Sequence, residues 1–187
     1  MTDTRKYPLL AEPHIRLYGP IDQNMYDRFR GDLNRCEHEK TLVIALTTLG
    51  GDPELARTMG DDVRLMRDHS QREILFLGKQ AVYSAGATFM SYFPRENRFL
   101  TRGTRLMIHE RQMNATLTLS GPLRSCVATL KAKLHEIEHS ILIEEEGFRA
   151  IAEQSNVGFD EIREKAPENW YIEAEEARDL GLILDII

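Results

Sequence analysis

The sequence predicts an α/β fold with a mainly parallel sheet, on two observations. The segment TLVIALTT (41–48) is continuously apolar and rich in β-branched residues, as in a parallel strand covered on both faces. Strand-like and helix-like segments also alternate at least three times along the chain, the order of repeated βαβ units. Each element can be justified in turn.

HIRLYG (14–19) alternates Ile15 and Leu17 with polar neighbours, and Gly19-Pro20 ends it. Asp22 can cap a helix whose apolar positions Met25, Phe29 and Leu33 lie four apart. The buried strand 41–48 follows. In LGGDPELARTMGDDVRLM (49–66) the glycines make a turn, and Leu55, Met59, Val63 and Met66 mark one helix face. EILFLG (73–78) is a third strand, leading to KQAVYSAGATFMSYF (79–93), which turns into a helix near Ser84. NRFLTRGTRLMIHE (97–110) supplies two short strands around Gly103. Ser120-Gly121-Pro122 opens a long helix. Its apolar residues Leu123, Val127, Leu130, Leu134, Ile137 and Ile141 recur at gaps of four and three, the seam of a helix packing on a partner. The last third reads as mostly helical, closing on EAEEARDLG (173–181) and an apolar tail, LILDII.

At 187 residues the chain is expected to form one domain over 1–187, with an N-terminal arm at 1–13 and the long helix at about 120–154. A net charge of −6 argues against a broad nucleic-acid surface. No apolar run is long enough to span a membrane, and the first residues lack a signal-peptide core. Two cysteines, Cys36 and Cys126, form no disulfide framework and fit a reducing cytoplasm.

Two segments invite a catalytic reading. HEIEH (135–139) has the spacing of a zinc peptidase. Its His135 and His139 flank the apolar seam among Lys131, Lys133, Glu136 and Glu138, the pattern of a solvated helix face. The stronger signal is AVYSAGATF (81–89). Ser84 stands at a strand-to-helix turn with Ala85, Gly86 and Ala87 behind it, where free N–H groups can receive an oxyanion. The plain alternative is a serine that caps its helix. Gly50-Gly51 ends the buried strand, where ligands bind in open α/β sheets. His109 ends the apolar strand in RLMIHE, at a distance from Ser84 that one strand pair can fold back.

Together HIRLYGPIDQNMYDRF (14–29), TTLGGD (47–52), VYSAGA (82–87), RLMIHE (105–110) and FDEIREKAPENWYIEAEEARDLGLILDI (159–186) resemble the Clp protease proteolytic-subunit family, ClpP. The resemblance covers nearly the whole chain, from about His14. It implies a ClpP/crotonase-like fold with repeated β-β-α units and a handle helix through which two rings of subunits meet. It also implies a serine peptidase that cuts peptides or unfolded proteins inside a homo-oligomeric chamber, with no cofactor. Ser84 matches the nucleophile and His109 the general base. The Gly50-Gly51 turn and Ala85 match the oxyanion hole, with the first donor open between Gly50 and Gly51.

The sequence departs from the family in several places. Asn169 stands where the family has its triad aspartate, with Glu168 and Asp160 as alternatives. Asparagine can orient an imidazole but brings no charge to stabilise imidazolium, so reduced intrinsic activity is the consequence. Thr48-Leu49 replaces Ser-Pro, Glu110-Arg111 replaces Gln-Pro, and NATLTLSGP stands for a glycine-rich stretch. The interval from His109 to Asn169 implies a longer handle. The short N-terminal arm counts against docking to a hexameric AAA+ unfoldase. The rival readings are a non-catalytic ring subunit, a crotonase-type acyl-CoA enzyme and, last, the zinc peptidase.

Overall fold

Parallel pairing organises the chain in a computed structural model, which describes residues 6–187. The elements in order are α1 (Lys6–Ala11), β1 (Ile15–Tyr18), α2 (Gln23–Arg35), β2 (Thr41–Thr48), α3 (Pro53–Ser70), β3 (Glu73–Tyr83) and α4 (Ala85–Ser91). Then come β4 (Arg98–Leu100), β5 (Arg105–Ile108), α5 (Leu123–Ala152), α6 (Phe159–Lys165), β6 (Trp170–Glu173), α7 (Ala174–Asp179) and β7 (Asp185–Ile186). The first five residues of the expected N-terminal arm lie outside the described residues.

The sheet runs β1-β2-β3-β4-β7, all parallel, and β5 branches from β3 to pair antiparallel with β6. The branch has a local cause. β3 pairs with β4 as far as Gly78↔Leu100, and from Ala81↔Arg105 onward it pairs with β5. Between them Gln80 takes a left-handed φ of 62°, and its N–H goes to Thr104 Oγ1 at 3.0 Å. The resulting bulge bends β3 and re-aims its last residues.

α2 and α3 form where the sequence predicts helices, whereas α1 was not expected within the N-terminal arm. Asp22 accepts from Met25 N–H, and Met25, Phe29 and Leu33 are buried. Asp52 accepts from Glu54 and Leu55 N–H ahead of Pro53 in the first turn of α3. The main core lies between the sheet and α2, α3, α4 and the end of α5, and includes Met25, Phe29, Phe76, Phe89 and Ile151. A smaller cluster on the other face joins Leu10 to Val43, Ala45, Leu75, Leu77 and Phe99.

β6 departs from the expectation of a mostly helical last third. Four residues with only Ile172 buried give no usable periodicity. The strand forms because β5 offers an open edge, with Arg105↔Glu173 through Ile108↔Trp170 in register. Lys165 over the Trp170 ring, at 4.3 Å, ties β6 back to α6.

Candidate active site

Three strand ends meet at the carboxyl edge of the sheet. β2 is in register with β3 through Thr48↔Val82, and β3 with β5 through Tyr83↔Met107. The residues just past these pairs are therefore neighbours: Gly50-Gly51, Ser84 and His109.

Ser84 sits between β3 and α4 with φ 55° and ψ −118°. A non-glycine residue there carries strain of about 1–3 kcal/mol. Ladder and helix hold it in place, through Ser84 N–H to Met107 O at 2.8 Å and Ala87 N–H to Ser84 O at 2.9 Å. The side chain makes no capping bond to α4. Instead Oγ lies 2.6 Å from His109 Nε2, so the helix-cap alternative does not describe this serine. His109 is partly buried, and that desolvation lowers its pKa below the usual 6.5.

The glycine turn separates the two candidate oxyanion donors. Gly50 N–H donates to Thr48 Oγ1 at 3.0 Å, and the Thr48 hydroxyl is within 3.0 Å of Gly50 O. Gly50 presses on the nucleophile, since a Cβ there would lie 2.9 Å from Ser84 Cβ. Gly51 has φ 148°, and a Cβ on it would lie 2.2 Å from Ile21 O. Ile21 N–H binds Gly50 O, and Asp52 N–H binds Ile21 O. The Gly51 N–H has no hydrogen-bond partner among the described residues. Gly51 borders the same cavity as Ser84 and Ala85. Ala85 opens α4, where a helix leaves its amides free.

Asn169 is placed by the antiparallel ladder. One step beyond the Ile108↔Trp170 pair, it stands opposite His109, in a left-handed conformation (φ 56°) that ends a 3-10 turn over Ala166–Glu168. Its side chain is exposed, and no hydrogen bond joins it to His109 among the described residues. Glu168 and Asp160 are exposed as well and make no such bond there.

His135 and His139 are exposed on α5, far along the helix from its buried Phe148 and Ile151. Glu136, the residue a zinc peptidase would use as base, is paired with Lys133 at 2.8 Å. No group of three His, Cys, Asp or Glu suited to a metal occurs among the described residues. No helix among those residues is long and apolar enough to cross a membrane.

Beside Ser84 and His109 opens a cavity of about 350 Å³ between α4 and α5, with α3 at its side. Its charged walls escaped the sequence reading. Arg57 on α3 pairs with Glu146 on α5 at 3.1 Å, and Arg111 pairs with Glu54 at 2.9 Å. Glu144 accepts a hydrogen bond from the Arg111 backbone N–H. The only signals available were the Glu110-Arg111 departure and the run of glutamates at 144–146, neither of which says what it faces.

Comparison with known proteins agrees with this fold. The model of the Clp protease family matches residues 2–187. Two curated relatives are the ATP-dependent Clp protease proteolytic subunit 3 of Rhizobium etli and that of Rhizobium johnstonii. The first is 25% identical over 96% of this chain and 86% of its own length, the second 26% over the same shares. Among solved structures, an asparagine-to-aspartate mutant of ClpP1 from Listeria monocytogenes is similar in fold. Its TM-score is 0.75 at 23% identity, covering 98% of this chain and 95% of that one. With its parallel sheet, its paired serine and histidine and a family match from end to end, this chain belongs to the Clp protease family.

Proposed function

We propose that the protein is a ClpP-like serine peptidase acting on peptides or unfolded chains through an acyl-enzyme on Ser84. The observation that carries this reading is the 2.6 Å approach of Ser84 Oγ to His109 Nε2 at a strained strand-to-helix turn. In this reading Oγ attacks the scissile carbonyl while His109 Nε2 takes its proton. The Gly51 and Ala85 amides receive the oxyanion, Gly51 being preferred over Gly50 because the Gly50 N–H is already engaged by Thr48. His109 then protonates the leaving amine, and water repeats the sequence to free the enzyme. Asn169 stands as the third member, holding the imidazole from the neighbouring strand when substrate tightens the site.

The exposed seam of α5 supports assembly. Leu123 is 84% exposed, and Val127, Leu130, Leu134 and Ile141 lie open along the same face. An apolar stripe of that length is covered in a soluble protein, and a second ring of copies is the occupant this family reading supplies.

The reading is tested by labelling pure protein with a fluorophosphonate and following hydrolysis of a small peptide ester. Stoichiometric labelling that disappears in Ser84→Ala, together with turnover, is the expected result. Turnover unchanged in Ser84→Ala sinks it. His109 Nδ1, without a hydrogen-bond partner among the described residues, favours one competing reading, a ring subunit without activity. No labelling of correctly assembled protein is the outcome that selects it.

A further inference from the structure

The cavity beside Ser84 has an apolar body and a charged margin. Ala87, Ile143, Phe148 and Ile151 supply the apolar walls, enough to lie along an aliphatic chain several carbons long. The charges at the margin are unequally matched. Arg57 is held by Glu146 at 3.1 Å and lies 4.0 Å from Glu54, which also binds Arg111 at 2.9 Å. Both guanidiniums thus have a carboxylate partner, although Arg111 Nη1 is buried without a hydrogen-bond partner among the described residues. Glu144 bounds the same cavity with only a backbone amide, that of Arg111, on its carboxylate. It has no cationic side-chain partner among the described residues. Burial raises the Glu144 pKa, and neighbouring Glu110 and Glu145 add to the rise against the pull of the Arg111 amide and guanidinium. Such a group gains most from an incoming cation, and costs most when an uncharged side chain desolvates it further.

We propose that this cavity receives the side chain preceding the scissile bond and that Glu144 selects lysine or arginine there. The inference rests on the peptidase reading for its meaning, and it names a substrate class for that site. The methylene stem lies on Phe148 and Ile151, and the ammonium or guanidinium head meets the Glu144 carboxylate. The Arg111 amide fixes that carboxylate from the segment just after His109. A leucine at the same position fills the apolar walls but leaves Glu144 unmatched.

The test has two arms. In the first, kcat/KM is measured for peptide amides that differ only in lysine or leucine before the reporter. In the second, labelled peptides ending in lysine or leucine are titrated by fluorescence anisotropy into the Ser84→Ala protein, which needs no catalysis. A charge-assisted hydrogen bond predicts a lysine preference of about tenfold to a hundredfold in both arms. Glu144→Gln keeps an acceptor for the Arg111 amide and removes the charge, so the lysine-to-leucine ratio should fall by about tenfold or more. Leucine equal to or better than lysine in both arms overturns the proposal, as does a ratio that Glu144→Gln does not move. If neither substrate is cut but the binding ratio favours lysine and depends on Glu144, the cavity assignment stands and the peptidase reading fails. Serine labelling with a leucine preference sinks the cavity assignment alone.

Discussion

Among the described residues no carboxylate acts on His109, and this sets how the protein should respond to pH. Its pKa is lowered by burial alone, with no carboxylate raising it. A general base works in its neutral form, so kcat/KM should rise with pH through a value below the ordinary 6.5 and be flat by pH 7. Asn169→Asp places a carboxylate opposite the imidazole in the β5–β6 ladder. That charge stabilises imidazolium, so the acidic limb should move to higher pH and turnover should rise by about tenfold or more, part of the ~10⁴ a triad aspartate contributes in trypsin-type enzymes. An unmoved limb would show that residue 169 does not reach the histidine. Asn169 could be picked out of the sequence by aligning the last segment. That its side chain is exposed, with no hydrogen bond to His109 among the described residues, could not, because this depends on where a short ladder ends.

At the scale of elements, the helix that begins at Ser84 is fixed from its far end. Arg98 is fully buried, and its guanidinium donates to Phe93 O at 2.7 Å, Ser91 O at 3.0 Å and Leu182 O at 3.2 Å. Burial lowers its pKa to about 10, with Glu96 opposing the fall and Arg95 adding to it. The charge lies against the free carbonyls at the end of α4, where a cation is favoured. Arg98→Met keeps much of the volume and leaves these carbonyls unpaired. A loss of about 3 kcal/mol of stability is expected, read as a lower denaturant midpoint at unchanged slope. Gly86 fixes the other end, since a Cβ there would lie 2.5 Å from Thr48 Cγ2. The small residues after Ser84 were visible in the sequence. Their purpose, close packing of α4 on the strand that carries the glycine turn, appears only when β2 and β4 lie on either side of β3.

For the molecule as a whole, α5 joins two environments. Its last turns bury Phe148 and Ile151 against the core and wall the cavity, while its first five turns carry the exposed seam. Ile137→Asp should therefore disturb assembly, lowering the mass seen by light scattering without unfolding the protomer. Replacing His135 and His139 together with alanine should leave peptide hydrolysis largely intact, because neither lies at the cavity or among metal-suited neighbours.

The sequence by itself determined the alternation of strands and helices, the cap at Asp22, the apolar seam, and the serine, histidine and glycine segments. Each is a local signal, carried by periodicity or by what a turn requires. Tertiary structure alone decided that Ser84 Oγ turns to His109 rather than to its own helix, and that Thr48 occupies the Gly50 amide. It also decided that Glu144 shares a cavity with the nucleophile. These outcomes depend on the register of three strands and on a bulge at Gln80 that re-aims one of them. Register is settled by the packing of whole faces, so no single segment encodes it.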